Sequence, residues 1–195
     1  MPLFKKTEGH GFMTAPSSPA VNSTAAPEWP SQLHRVLKRA GVVQVAYVPD
    51  AGHATLIDLC RQDPAMKTIV LTSEQEGVGV LAGAWLGGER GVLLMQSSGV
   101  GNCINTLSMI QVCSFPLLML ITMRGEWGEF NPWQVPMGQA TEQCLRAQNV
   151  IVERVIDPSK IADTAAACAQ LAFDSARAVA VLISQRIVGA KAFRE

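Results

Sequence analysis

Two carboxylates stand two residues apart, Glu74 and Glu76, inside the stretch Thr68–Asn102, TIVLTSEQEGVGVLAGAWLGGERGVLLMQSSGVGN. A carboxylate held at the end of a buried strand can hydrogen-bond a ligand or carry a proton for it. The two are not equivalent. Ser73 and Glu76 form the pattern S-x-x-E, a capping box that gives Glu76 a structural task at a helix start. Glu74 has no such task. It sits in the first helical turn beside the carboxyl end of the apolar run Ile69–Leu71, where open α/β sheets place their ligand sites. Gly77–Gly88 carries no charge and five glycines, each costing a helix roughly 0.8–1.0 kcal/mol relative to alanine. Such a helix is expected where a second backbone or a ligand comes close.

Three further stretches hold chemistry-bearing side chains. Ser97, Ser98, Gly99, Val100, Gly101 and Asn102 end one strand and open a helix, so backbone N–H groups there can face an anion or a ring edge. Neither G-x-x-x-x-G-K-[ST] nor G-x-G-x-x-G is present, so the nucleotide fingerprints are not met. Asp50 and His53, in PDAGH, follow another strand at the same end of the sheet as Glu74. They read either as ligand contacts or as ordinary turn and cap chemistry. The loop Thr122–Met137, TMRGEWGEFNPWQVPM, is long for a compact domain and mixes Arg124, Glu126, Glu129, two tryptophans and Gln134. Arg124 could meet an anionic group with its planar fork, or pair with Glu126 or Glu129. The five cysteines show no C-x-x-C and the three histidines no metal-ligand spacing, which leaves buried thiols and no metal site.

The elements that must position these groups alternate. Helical spacing covers Ser31–Ala40 with Gly41 closing it, then comes a strand, Val42–Val48, and a helix from Leu56 to the Asp63–Pro64 stop. Beyond the central stretch the pattern predicts a helix over Asn102–Val112 and a central strand over Phe115–Thr122. A short helix over Thr141–Gln148, a strand over Val150–Val155, a helix over Pro158–Ser175 and a last strand over Val179–Ser184 follow. The fold class is therefore α/β, a three-layer sandwich with a mainly parallel sheet of about six strands and helices on both faces. Residues 1–28 are rich in Ser, Ala and Pro, lack an apolar core and read as a disordered leader, His10 included, ahead of one domain over 29–195. Charged residues are only 16% and net charge is zero, with 16 basic and 16 acidic residues. That leaves no electrostatic footprint for nucleic acid, and no apolar run reaches the roughly 18 residues of a membrane span. So low a charge content predicts a surface partly covered by another subunit.

SEQEGVGVLAGAWLGG followed by LLMQSSGVGN resembles the pyrimidine-binding domain of thiamine-diphosphate decarboxylases, in particular those acting on sulfopyruvate and phosphonopyruvate. The resemblance implies that Glu74 hydrogen-bonds the aminopyrimidine ring of thiamine diphosphate and so activates the cofactor. It implies a cofactor-lining loop of Ser98, Gly99, Gly101 and Asn102, and substrate contacts from Asp50, His53, Arg124 and Gln134. The Gly-Asp-Gly and Asn-Asn strings by which this family holds Mg²⁺ and the diphosphate do not occur in the sequence. The implied arrangement is an alpha subunit completed by a separate diphosphate-binding beta subunit, which binds Mg²⁺, in a cytoplasmic α₂β₂ or larger heteromer. The implied reaction is decarboxylation of a small anionic 2-oxo acid. Carboligation or acyl transfer, and a noncatalytic α/β binding module, are the alternatives.

Overall fold

The computed structural model describes residues 28–189; the leader expected over 1–28 lies, but for Glu28, outside the described residues, as does His10. The elements run in the order α1 (Trp29–Arg39), β1 (Val42–Tyr47), α2 (Ala54–Gln62), β2 (Lys67–Val70), α3 (Glu74–Leu86) and β3 (Arg90–Gln96). The second half comprises α4 (Ser97–Cys103), α5 (Ser108–Cys113), β4 (Leu117–Thr122), α6 (Val135–Ala147), β5 (Ile151–Val155), α7 (Ile161–Ser175), β6 (Ala178–Ile183) and α8 (Gln185–Val188).

The six strands form one sheet in the order β2-β1-β3-β4-β6-β5, and all neighbours are parallel. β4 (LLMLIT) and β6 (AVAVLI) are buried throughout, which is why they read as unbroken apolar runs rather than alternating ones. Alternate residues feed two cores. Val45, Leu94, Leu120 and Val181 pack with α1, α2 and α7, whereas Ala46, Leu93, Met119 and Ala180 pack with α3 to α6.

The path explains the two faces. Connections that step toward β2 or back from β5 (α2 and α7) lie on one face, and those that step the other way (α3, α4 with α5, and α6) lie on the other. That division is what a single crossover hand requires. The chain leaves β1 in one direction and β3 in the other, so a crevice opens between their carboxyl ends. This is where such sheets bind ligands.

Three elements depart from the sequence reading. The helix expected over Asn102–Val112 is instead two short ones, because α4 begins directly at Ser97 and ends in a turn before Ser108. Burial of Val100 and Cys103 offsets the two glycines in α4, and Leu107 and Ile110 dock the next segment separately. α6 starts at Val135 rather than Thr141, with Pro136 in its first turn, where a missing N–H costs nothing. A 3₁₀ turn, Pro132–Gln134, precedes it, with the Asn131 side chain accepting from the Trp133 N–H. The long loop therefore shortens to Met123–Asn131. Among the described residues no helix is long and apolar enough to cross a membrane.

The glycines of α3 divide. A Cβ on Gly77 would run into Leu71 and Leu93, as close packing demands, yet Gly79 and Gly83 face open space within this chain.

Candidate active site

The crevice between the ends of β1 and β3 is lined by Val48, Pro49, Asp50, Glu74, Gln96 and Ser98 and encloses about 110 Å³. That is room for a few waters, and well below the roughly 300–1,000 Å³ of complete ligand pockets. It has the size of part of a site.

Glu74 is the first residue of α3 and is buried, at 7% exposure. Its Oε2 accepts a hydrogen bond from Asn102 Nδ2 at 2.8 Å, and no group among the described residues donates to its Oε1. Gly99 packs against the carboxyl group: a Cβ there would come within 2.3 Å of Glu74 Oε1 and 2.4 Å of Cδ. The glycine in SSGVGN thus has a steric purpose, to let α4 approach the carboxylate. Gly101 differs, since a Cβ there would meet only the Met137 thioether, at 3.4 Å. Ser97 is fully buried and ties α4 to the next strand end, its Oγ accepting from the Arg124 N–H at 3.1 Å.

Glu76 does the structural work expected of it, in altered form. Ser73 makes no side-chain cap bond. Glu76 instead reaches one residue further back and accepts from the Thr72 N–H at 2.9 Å and the Thr72 hydroxyl at 2.6 Å. The Thr72 hydroxyl first, and backbone N–H groups with it, hold its carboxyl below the usual range.

Asp50 faces the same crevice and is braced by two strands. Its Oδ2 accepts from the Thr122 hydroxyl at 2.6 Å, and its Oδ1 from Gln96 Nε2 at 3.1 Å. Ser98 Oγ donates in turn to Gln96 Oε1 at 3.0 Å. Gly52 makes room, because a Cβ there would strike Asp50 and Thr122. Burial alone would raise the Asp50 carboxyl; the His53 charge, the Thr122 hydroxyl, the Gly52 N–H and the Gln96 amide outweigh it and set it below the ordinary aspartate range.

His53 lies beneath Asp50 rather than in the crevice. It is wholly buried, with Nε2 3.0 Å from the Leu120 carbonyl and Nδ1 unpartnered. A carbonyl only accepts, so Nε2 carries the hydrogen of the neutral ring. Burial lowers the imidazole's titration, against the pull of Asp50 and of backbone carbonyls. The imidazolium that favours Asp50 ionisation is therefore an acid-side species. Near neutral pH the hydrogen bonds hold the carboxylate.

The Met123–Asn131 loop closes on itself around Arg124. Glu129 takes Arg124 Nε at 2.7 Å and Nη2 at 2.5 Å, and the guanidinium also lies over Phe130, 5.6 Å from the ring centre. Glu129 further accepts from the Gly125 and Asn131 N–H groups and from Gln185 Nε2. Gln185 Oε1 takes the Glu126 and Trp127 N–H groups, while Glu126 accepts from Ser184, Gln185 N–H and Arg154. Of the two roles open to Arg124, pairing with Glu129 is the one this arrangement displays. Gln134 follows in the 3₁₀ turn, half-buried, with its Oε1 buried and unpartnered.

Arg124 above all holds the Glu129 carboxyl down to about 2, against burial, with the Asn131, Gly125 and Gln185 donors assisting. A depressed carboxyl stabilises the fold above its ordinary titration range and loses that contribution as pH falls toward its folded value. Glu129→Gln should therefore lower stability at pH 7 by about 3–5 kcal/mol, since it leaves a buried guanidinium without its counter-charge. Denaturant unfolding as a function of pH should also show a flatter acid dependence in the variant between ordinary glutamate titration and about pH 2.

Buried thiols complete the setting. Burial pushes Cys103 up to about 12, with the Glu74 charge adding to it, and burial likewise raises Cys60 and Cys168 to about 12. None of the three is a nucleophile near neutral pH. Gln96, Thr122 and Gln185 were not singled out in the sequence, because a polar residue ending or following a strand carries no local signal of what it will face.

The chain is similar to several known proteins. The thiamine pyrophosphate enzyme family, N-terminal TPP binding domain, matches residues 30–143. The chain is 34% identical over 148 residues to sulfopyruvate decarboxylase subunit alpha of Methanothermobacter thermautotrophicus, covering 75% of this chain and 90% of that one. Its counterpart in Methanococcus maripaludis is 38% identical over 119 residues, 60% of this chain and 71% of that one. Phosphonopyruvate decarboxylase of Streptomyces viridochromogenes is 39% identical over 107 residues, 54% of this chain but only 27% of the longer protein. Among solved structures, 2-oxoglutarate:ferredoxin oxidoreductase from Magnetococcus marinus superposes with a TM-score of 0.65 at 13% identity, over 82% of this chain and 29% of that one, a likeness of fold.

Proposed function

The chain belongs to the thiamine pyrophosphate enzymes through their N-terminal TPP-binding domain, and from that premise we propose that it is the subunit of a 2-oxo acid decarboxylase that offers Glu74 to the cofactor's aminopyrimidine. The observation that carries the reading is Glu74 itself: a buried carboxylate, one oxygen fixed by Asn102, that lines a small crevice at the sheet's switch point. The donor set fits a flat heterocyclic edge. Val48 and Pro49 offer apolar walls, and Glu74 offers a carboxylate whose Oε1 has no donor among the described residues.

Thiamine diphosphate, when bound, supplies the electron sink for loss of CO₂ from a 2-oxo acid. The chain's own residues act around that chemistry. Glu74 Oε1 would hold or return a proton at a ring nitrogen, and Asn102 keeps the carboxylate from rotating away. Asp50, fixed by Thr122 and Gln96, would orient the substrate from the β1 side. His53 would support Asp50 from below rather than touch substrate. Ser98, Gly99, Gly101 and Asn102 would flank the ring through α4. Arg124 and Gln134 would bound the substrate's entry; with Glu129 already on one edge of the guanidinium, an anionic tail would meet its remaining edge.

The names of the relatives support a small anionic substrate such as sulfopyruvate or phosphonopyruvate. Two of those names include the words subunit alpha, which supports a partner chain. Our proposal assigns Mg²⁺ and the diphosphate to that beta subunit, in an α₂β₂ or larger cytoplasmic assembly. Exposed Leu86, Val112, Trp133 and Ile156 give such a partner apolar surface to cover.

The test is reconstitution. The isolated chain should bind thiamine diphosphate with Mg²⁺ weakly in titration calorimetry and release no CO₂ from either substrate. Adding a diphosphate-binding subunit should produce tight binding and turnover. Tight binding by the isolated chain would contradict the division of the site between two chains.

A further inference from the structure

We infer that Gln96 is a positioning residue that sets the orientation and ionisation of Asp50, linking the β1 loop to α4 across the crevice; the inference rests on the site proposed above. Gln96 is the last residue of β3 and lines the crevice beside Glu74 and Asp50. Its amide is polarised in one sense only. The Asp50 carboxylate can only accept, so Nε2 must face Oδ1, which leaves Oε1 for the Ser98 hydroxyl. A flipped amide would set a carbonyl oxygen against a carboxylate, whereas the Ser98 hydroxyl can turn to suit either end. The neighbouring strand fixes the second oxygen of Asp50 through Thr122. Asp50 is thus clamped from β3 and β4 at once, though it belongs to the loop after β1.

Asp50 and Glu74 share the same crevice of about 110 Å³. A buried carboxylate keeps its charge only where a donor offsets the loss of water. Asn102 provides that donor to Glu74, and Gln96 provides it to Asp50. The other charged or titratable groups around Asp50 are His53 beneath it and Tyr47, Asp58 and Arg61 along the cavity on its far side. Among the described residues only Gln96 bonds both Asp50 and the start of α4.

The experiment follows the ¹³C resonance of the Asp50 carboxyl in the full chain during a pH titration, assigned by its disappearance in Asp50→Asn. Gln96→Met, similar in length but without donor or acceptor, should move the titration midpoint up. Gln96→Glu should move it up further, since it replaces a donor with a second charge. Half-burial at a strand end makes both changes compatible with folding, and if the Met variant does not fold, the Glu variant decides alone. In the assembled enzyme Gln96→Met should lower kcat/KM about ten- to a hundredfold, the scale of a misplaced group, with the acid limb of its pH profile displaced upward. A midpoint unchanged or lowered in the folded variants overturns the role of Gln96, whatever the reaction proves to be. A raised midpoint with no decarboxylation in any assembly leaves Gln96 as the clamp of Asp50 and overturns the substrate reading alone.

Discussion

Glu74→Gln lowers decarboxylation by the assembled enzyme about 10²–10⁴-fold, the range of a lost acid–base group, while its melting temperature stays near that of the unaltered protein. The substitution keeps the volume of the side chain. It can retain the contact with Asn102, since an amide oxygen accepts as a carboxylate oxygen does. What it removes is the capacity of the carboxylate to hold a proton. Glu76→Gln is the matched control two residues away. Its carboxylate serves Thr72 at the surface, and glutamine can take either of those hydrogen bonds. Activity should change by less than about twofold, because Glu76 lines no part of the crevice. Steady-state rates and thermal melts on the same preparations separate the two residues.

Gly99→Ala should reduce activity about a hundredfold, although it adds a single methyl group. That methyl has nowhere to go. It would lie only 2.4 Å from the Glu74 carboxyl carbon, and α4 cannot retreat because Val100 and Cys103 anchor it in the core. The carboxylate must swing off its bond to Asn102, and a displacement of about 1 Å in a reacting group is enough for a loss of that order. Gly101→Ala, two residues on, meets only the end of the flexible Met137 side chain and should keep most of its rate. Equal losses in both variants would mean that α4 tolerates no added methyl anywhere, and would remove the special relation between Gly99 and Glu74. Circular dichroism of the two variants keeps folding defects out of the comparison.

The place of Glu74 at the crevice was legible because a buried strand ends just before it and the neighbouring glutamate already has a capping pattern; its proposed part in cofactor activation came from the resemblance. The six parallel strands were legible for a similar reason. Runs such as LLMLIT and AVAVLI have the composition of strands covered on both faces. Gln96 and Thr122 gave no such signal, because their partner Asp50 lies 46 and 72 residues away in sequence, and only the strand order brings them together. α4 was hidden by its glycines, which depress helix propensity. The reason for Gly99 lies in the opposing Glu74, not in the helix itself. The start of α6 was obscured by Pro136, read as a loop residue although a proline fits a first helical turn. Arg124 carried two readings because an arginine among glutamates in a loop has no local preference. The loop geometry resolved its partner as Glu129.

The central claim is that Glu74 activates a bound thiamine cofactor. The most direct measurement is hydrogen–deuterium exchange at the cofactor's reactive ring carbon in the assembled complex, followed by NMR after rapid acid quench. Exchange should be fast in the unaltered complex, slowed about 10²–10⁴-fold in Glu74→Gln, and unaltered in Glu76→Gln. Fast exchange retained in Glu74→Gln, with the cofactor bound, would contradict that claim.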